Sequence, residues 1–161
     1  MKYCETDICF SEFPGETSLL INITSCPHVC IGCHSPHLRE DIGEILTEEV
    51  LDSLIEPQKK YITLVGFMGG DAFIEQVDKF AYYVKRKYHL KIGWYSGNDS
   101  ISDKIDWNNF DYVKVGHYKE SCGDLRNPNT NQRMYRIRHY NIVDNCSKHT
   151  IEDITSQFWK R

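Results

Sequence analysis

The chain has 161 residues, of which 40% are hydrophobic and 26% are charged, and its formal net charge is −4. This length predicts a single domain, residues 1–161, with a real hydrophobic core. The weak negative charge and the lack of a basic block argue against a nucleic-acid partner. No apolar stretch approaches the roughly 20 residues of a membrane span, and residues 1–7 lack a signal-peptide core. We therefore expect a cytoplasmic protein with no membrane partner.

The predicted elements begin with a buried strand over 18–23, followed by a cysteine-rich segment. A helix then opens at Thr47, with acidic residues in its first turn, and Pro57 stops it. The apolar run 61–66 predicts a second strand. Strands and helices therefore alternate in the first half of the chain.

A second helix is predicted after Asp71, because apolar side chains recur there at helical spacing. Its apolar face comprises Phe73, Val77, Phe80, Ala81, Val84 and Tyr88. Two short strands are predicted over 91–95 and 112–115. This alternation predicts an α/β fold with right-handed crossovers, a mostly parallel sheet and outer helices. Ligands of such sheets bind at the carboxyl ends of the strands.

From about residue 134 the chain is predicted to form a C-terminal extension of uncertain role, 134–161. It starts with a basic, aromatic stretch over 135–140, for which we expect a solvated strand. A terminal helix is predicted to start at Thr150, with Ile151, Ile154 and Phe158 on one side.

Three cysteines, Cys26, Cys30 and Cys33, fall within eight residues directly after the first predicted strand. Thiolates packed this closely on a loop are typical ligands of an iron–sulfur cluster. A cubane cluster normally has four thiolates, so three predict one iron left open for a ligand. The seven cysteines are an odd number, which favours reduced thiols over a disulfide framework. Cys4, Cys9, Cys122 and Cys146 are scattered and are interpreted as small, partly buried side chains.

The sequence resembles the radical S-adenosylmethionine (SAM) enzymes and, within them, the anaerobic ribonucleoside-triphosphate reductase activating proteins. The resemblance rests on the three cysteines and on the segments 67–72 (FMGGDA), 94–97 (WYSG) and 127–133 (NPNTNQR). The family's usual Gly-Pro-Gly-x-Arg stretch is here 13–18 (FPGETS), without an arginine, and no role is carried over to it.

The resemblance implies an incomplete, partial TIM-like barrel in which the three cysteines bind three irons of a [4Fe–4S] cluster. SAM would chelate the fourth iron, and Asp71 would hold its amino group. The implied SAM-binding residues are Gly32, Cys33, His34, Gly69, Gly70, Asp71 and Ser96. No catalytic residue is implied beyond the cluster and SAM ligands. Read from these residues alone, 69–71 are better interpreted as an ordinary turn in which Asp71 caps the helix, and the three cysteines reverse this preference.

The implied activity is reductive cleavage of SAM and generation of a glycyl radical on the large subunit of the reductase, on its glycine loop. A flavodoxin or ferredoxin would donate electrons, and 135–140 is a candidate docking surface. Arg133 could contact a carboxylate of SAM or of the partner, or pin the last strand. Two alternatives remain open. One is an activase of another glycyl-radical enzyme, of the pyruvate formate-lyase type. The other is a Cys3His zinc-binding module that uses His28, His34 or His37.

Overall fold

The structure, a computed structural model, describes residues 1–141 and 147–159. Its α-helices are α1 (Glu48–Ile55) and α2 (Ile74–Tyr88). Its strands are β1 (Lys2–Cys9), β2 (Ser18–Ile23), β3 (Glu44–Ile45), β4 (Leu64–Met68), β5 (Lys91–Tyr95), β6 (Tyr112–Val115), β7 (Arg133–Asn141) and β8 (Ser147–Asp153). Short 3-10 helices cover Pro36–Arg39, Asp71–Phe73, Trp107–Asn109 and Thr155–Phe158. The described residues thus form a mixed α/β fold.

All the strands join one eight-stranded sheet in the order β3-β1-β2-β4-β5-β6-β7-β8. The four central strands, β2, β4, β5 and β6, are parallel to one another. The outer pairings on both sides are antiparallel. The prediction of a mostly parallel sheet is therefore wrong, since four of the seven pairings described are antiparallel.

Sequence patterns located the central elements well. Strands β2, β5 and β6 have the predicted bounds, whereas β4 is shifted from 61–66 to Leu64–Met68. Helix α1 begins after Thr47, whose hydroxyl accepts a hydrogen bond from the Val50 amide at 3.2 Å. Helix α2 buries Val77, Phe80, Ala81 and Val84, as its periodicity predicted.

The predicted C-terminal helix is wrong. Its first residues, 150–153, belong to β8, which pairs with β7 from Tyr135↔Asp153 to Asn141↔Ser147. β-Branched Thr150 and Ile151 suit a strand, and pairing with a neighbouring strand outweighs a weak capping signal. The chain turns at Asp153, which accepts from the Thr155 amide at 2.9 Å, into a short 3-10 helix. Cys146 lies outside the described residues.

The two faces of the sheet are covered differently. Helices α1 and α2 pack on one face, against side chains such as Ile21, Phe67 and Trp94. The opposite face carries a smaller apolar cluster built from Phe13, Leu20, Leu64, Tyr112, Leu125, Met134 and Ile154. Because no described helix other than short 3-10 turns covers this second face, it has room for a cavity.

Phe13 fills a hollow made by two glycines of adjacent strands. Gly66 of β4 pairs with Gly93 of β5, and a Cβ on Gly93 would meet the Phe13 ring at 2.3 Å. The ring is fully buried and packs edge-on against Tyr95, with centroids 5.2 Å apart. The segment 10–17, which joins β1 to β2, is thereby fixed across the centre of the sheet.

Candidate metal centre

Three segments singled out by the sequence follow neighbouring parallel strands. Residues 24–35, called here the cysteine loop, follow β2, while 69–71 follow β4 and 96–97 follow β5. The register pairs Asn22 with Met68 and Met68 with Tyr95, so the three strands end side by side. The structure brings these segments together at the edge of the sheet where the parallel strands end, which is where ligands of such sheets bind.

Backbone hydrogen bonds hold the cysteine loop to the segment that follows it. The Cys26 amide donates to the Leu38 carbonyl at 2.9 Å, and the Ser25 amide donates to the Glu40 carbonyl at 3.1 Å. The Arg39 guanidinium donates to the Cys30 carbonyl at 2.7 Å. These three bonds position the loop backbone, and none of them involves a cysteine sulfur.

The three cysteines of the loop are free, half-buried thiols. Burial raises the pKa of the Cys26 thiol, and the neighbouring acidic groups raise it further. A positive metal centre reverses this effect, because it binds the thiolate and displaces the proton. The donor set therefore fits an iron–sulfur cluster, which binds thiolates on separate irons.

The arrangement does not match a single tetrahedral zinc ion. Among residues 1–141 and 147–159, the group of three metal-binding side chains within 4.8 Å of one another is Cys4, Glu5 and His37, not the three cysteines of the loop. The histidines of the zinc alternative also have other partners. His28 contacts Asp71 at 3.1 Å, His34 packs on Tyr118 and His37 lies 3.6 Å from Glu5.

Asp71 is the hub that joins the three segments. Its side chain is only 2% exposed. Oδ2 accepts from His28 Nε2 at 3.1 Å and from the Gly97 amide at 2.8 Å. Oδ1 accepts from the Ser96 hydroxyl at 2.5 Å and from Asn98 Nδ2 at 3.1 Å. All four acceptor positions of the carboxylate are thus in use.

This network tests the interpretation of Asp71 as a helix cap. None of the four donors belongs to the 3-10 helix Asp71–Phe73 or to α2, so the interpretation as a helix cap is wrong. The carboxylate instead anchors the cysteine loop, through His28, to the ends of β4 and β5. Gly97 makes this possible, because a Cβ there would meet the His28 ring at 2.4 Å.

The predicted glycines 69 and 70 both have positive φ, 93° and 94°. A Cβ on Gly70 would meet Val77 of α2 at 2.6 Å, so the turn lies directly against the helix. The Gly69 carbonyl accepts from Trp94 Nε1 at 2.9 Å. These glycines allow the tight turn that places Asp71 under the cysteine loop.

A cavity of about 450 Å³ opens on the face of the sheet opposite the helices. Its wall includes Cys33 and His34 of the cysteine loop, with Tyr95, Lys114 and Gln132 from the sheet and the segment before β7. Residues 69–71 do not line it, and Asp71 borders a separate, smaller depression beside α2. The structure therefore places only part of the predicted SAM-binding set around one cavity.

Lys114 is a charged residue of this cavity to which the sequence assigned no role. It is 7% exposed, its ammonium donates to the Gly116 carbonyl at 2.6 Å, and burial lowers its pKa to about 8. The sequence did contain a sign of this burial, because Lys114 stands within the apolar strand Tyr112–Val115. Such an amine can switch between charged and neutral forms near neutral pH.

The segment 131–133 acts within the protein. Gln132 Nε2 donates to the Gly116 carbonyl at 3.2 Å, and Asn131 Nδ2 donates to the His117 carbonyl at 2.9 Å. Arg133 donates to the Thr130 and Gln132 carbonyls at 2.7 and 2.8 Å. Of the roles left open for Arg133, the structure shows the structural one, in which its side chain fixes the backbone at the start of β7.

Replacing Asp71 with Asn should lower the free energy of unfolding by about 2–4 kcal/mol, because an amide NH2 would face buried donors. Urea denaturation of the cluster-free protein measures the loss. Asp99→Asn is the matched control, since Asp99 is largely exposed and pairs with His117 at the surface; it should cost no more than about 1 kcal/mol. Equal losses in the two variants would contradict the anchoring role.

Lys114→Met should be more stable than the wild type at pH 7 in the cluster-free protein. A lysine with a lowered folded pKa binds fewer protons when folded than when unfolded, between about pH 8 and its usual value. The wild-type free energy of unfolding should therefore rise with pH through this window, relative to Lys114→Met. Urea denaturation at several pH values tests this, with exposed Lys104→Met as control; a parallel profile for Lys114→Met and wild type would contradict it.

Comparison with protein families gives one match: a family model described as a 4Fe-4S single cluster domain covers residues 14–119. No curated protein and no solved structure matches the chain. No helix in the described residues is long and apolar enough to cross a membrane. The matched range takes in the cysteine loop and the ends of β4 and β5 and makes up more than half of the chain. The chain therefore belongs to the 4Fe-4S single cluster domain family and is an iron–sulfur protein.

Proposed function

We propose that this iron–sulfur protein is a radical SAM activase. In this proposal Cys26, Cys30 and Cys33 hold a [4Fe–4S] cluster that, when bound, supplies the electron for reductive cleavage of SAM. The outcome is a glycyl radical on the large subunit of an anaerobic ribonucleoside-triphosphate reductase. The fold would be the shortened, incomplete radical SAM barrel that the resemblance implies, with the second face of the sheet as its interior.

One observation carries the proposal: Cys33 lies in the wall of the cavity, while the cysteine loop offers three thiols rather than four. A ligand in the cavity would lie beside the metal centre and could take the coordination position that the protein leaves open. A purely electron-transferring cluster has no need of an adjoining cavity of about 450 Å³. The geometry thus supports chemistry on a bound small molecule.

The cavity residues would orient that molecule and exclude water from it. The Lys114 ammonium suits a carboxylate such as that of the methionine part of SAM. His34 would face the adenosine part, where a planar ring can stack. Asp71 becomes a positioning residue, because its acceptor positions are already in use. Gly32, Gly69, Gly70 and Ser96 do not line the cavity, so as proposed SAM contacts they rest on the resemblance alone.

A protein partner would reach the cavity from the face that the helices leave open. The proposed partner segment is a mobile glycine loop, since the hydrogen to be removed must enter the cavity.

The candidate docking stretch 135–140 contains two arginines in different surroundings. Arg136 lies 5.6 Å from the Tyr112 ring and is largely buried, so it supports the fold. Arg138 is about half exposed and is the better candidate. A flavodoxin or ferredoxin would supply the electron.

Anaerobically reconstituted protein should hold about four irons and four sulfides per chain. Cys26→Ala, Cys30→Ala and Cys33→Ala should each lose the cluster, because three protein thiolates are the minimum for the site. Iron and sulfide determination with the absorption spectrum measures this. Cys122→Ala is the informative control, since residues 118 and 120 contact the loop at Gly32. Retention of the cluster in Cys122→Ala supports an open iron; its loss would indicate four thiolates and contradict the proposal.

The reduced protein should convert SAM to methionine and 5′-deoxyadenosine, and with its reductase it should give a glycyl-radical doublet in electron paramagnetic resonance. Arg138→Ala should lower the radical yield severalfold without changing SAM cleavage, because docking alone is weakened. Lys59→Ala, a change at a half-exposed lysine in the turn after α1, is the control. No SAM cleavage by cluster-loaded protein would contradict the proposal. SAM cleavage with a radical on a different glycyl-radical enzyme would identify the alternative activase.

A further inference from the structure

Three side chains that are candidate metal ligands converge at a second place, outside the proposed cluster site. Cys4, Glu5 and His37 each offer one ligand atom, and these atoms all lie within 4.8 Å of one another. We propose that these residues form a metal site that binds one Zn²⁺ ion and clamps the segment Pro36–Arg39 to β1. The inference is independent of SAM chemistry.

A β-bulge puts two of the ligands together. In a regular strand the neighbours Cys4 and Glu5 would point to opposite faces of the sheet. The β1–β2 register pairs Tyr3 with Ile23 but Glu5 with Asn22, so Cys4 is an extra residue on β1. Bulges redirect side chains in this way and recur beside functional sites. Here the bulge brings the thiol and the carboxylate to the same side.

Gly43 makes room for the bulge. Its φ is 86°, and a Cβ there would meet the Tyr3 carbonyl oxygen at 2.1 Å and the Cys4 Cα at 2.9 Å. The chain that leads into β3 thus presses directly on the bulged backbone. The residues on either side of Cys4 pair with β2, and Tyr3 also pairs with β3.

His37 supplies the third ligand from the 3-10 helix Pro36–Arg39, and its Nε2 atom lies 3.6 Å from a Glu5 carboxylate oxygen. Two ligand atoms about 2.0–2.2 Å from a tetrahedral zinc ion are about 3.4 Å apart, so this spacing needs little adjustment. His37 and Glu5 are partly exposed, with side chains 46% and 61% accessible, and can adjust. Cys4 is half-buried and better fixed.

The set of donors selects the ion. One thiolate, one imidazole and one carboxylate form a mixed sulfur, nitrogen and oxygen site, which suits Zn²⁺ better than Mg²⁺ or Ca²⁺. Three protein ligands leave a fourth position for water. Glu44 lies beside Tyr3, the residue before Cys4, and adds negative potential, whereas the charge of Asp41 is balanced by Lys2.

The position of the site gives it a consequence for the cysteine loop. The residue after His37, Leu38, accepts from the Cys26 amide, and Arg39 donates to the Cys30 carbonyl. The two residues that follow the proposed ligand therefore hold the loop directly. An ion bound to His37 would restrict the motion of residues 36–40, to which the cysteine loop is hydrogen-bonded.

The test uses the full chain with its iron–sulfur cluster loaded, under anaerobic conditions. After equilibration with Zn²⁺ and gel filtration, the wild type should retain one zinc per chain with its iron content unchanged. Cys4→Ser, His37→Gln and Glu5→Gln should each weaken zinc binding by more than about tenfold in competition with a chromophoric chelator. Two control variants carry the same substitutions at other positions: Cys9→Ser on the same strand, and His89→Gln at the exposed end of α2. Both should bind zinc as the wild type does.

Hydrogen exchange gives a second, local readout. Zinc should slow amide exchange in a peptide covering 36–40 of the wild type, and should leave it unchanged in His37→Gln. His37 is exposed, so this variant is not expected to unfold. The proposal is overturned if wild type retains no zinc, or if Cys4→Ser and His37→Gln retain as much as Cys9→Ser. If all variants retained zinc equally and lost iron, zinc would have displaced iron from the cluster site, and this result would also overturn the proposal.

Discussion

One buried carboxylate organises the metal-binding edge of this protein. Asp71 is the only group described that links the cysteine loop, the end of β4 and the end of β5 through direct side-chain bonds. Burying a carboxylate is costly unless its oxygens are hydrogen-bonded, and here every acceptor position has a donor. The arrangement is therefore sensitive to any change that converts an acceptor to a donor. It also explains why Ser96, Gly97 and Asn98 occur together after β5.

The unequal covering of the sheet determines where chemistry can take place. Two helices seal one face, while Phe13 and the C-terminal segment cover the other only in part. The cavity lies in the remaining space and is lined by both Lys114 and Cys33. A small molecule bound there would meet charges of both signs, because Glu12, Asp124 and Arg126 also line the cavity. Partial exclusion of water strengthens its interaction with these charges.

The sequence was most informative where local chemistry and pattern agree. Periodicity located α2 and the central strands, and the cysteine spacing predicted the iron–sulfur class that the family match supports. It was least informative at the edges of the sheet. The strand β1 alternates weakly, and Thr150 carries a capping signal that pairing with β7 overrides. The contacts of Asp71 and the burial of Lys114 join residues far apart in the chain, so no local pattern contains them.

The range of Asp71's partners along the chain also bears on how the holoprotein is assembled during synthesis. His28 precedes Asp71 by 43 residues, and Asn98 follows it by 27. A nascent chain that has reached β3 already carries all three cysteines, but it lacks both the anchor and the strand ends that hold their loop. The order of synthesis thus separates the appearance of the thiols from the completion of their scaffold.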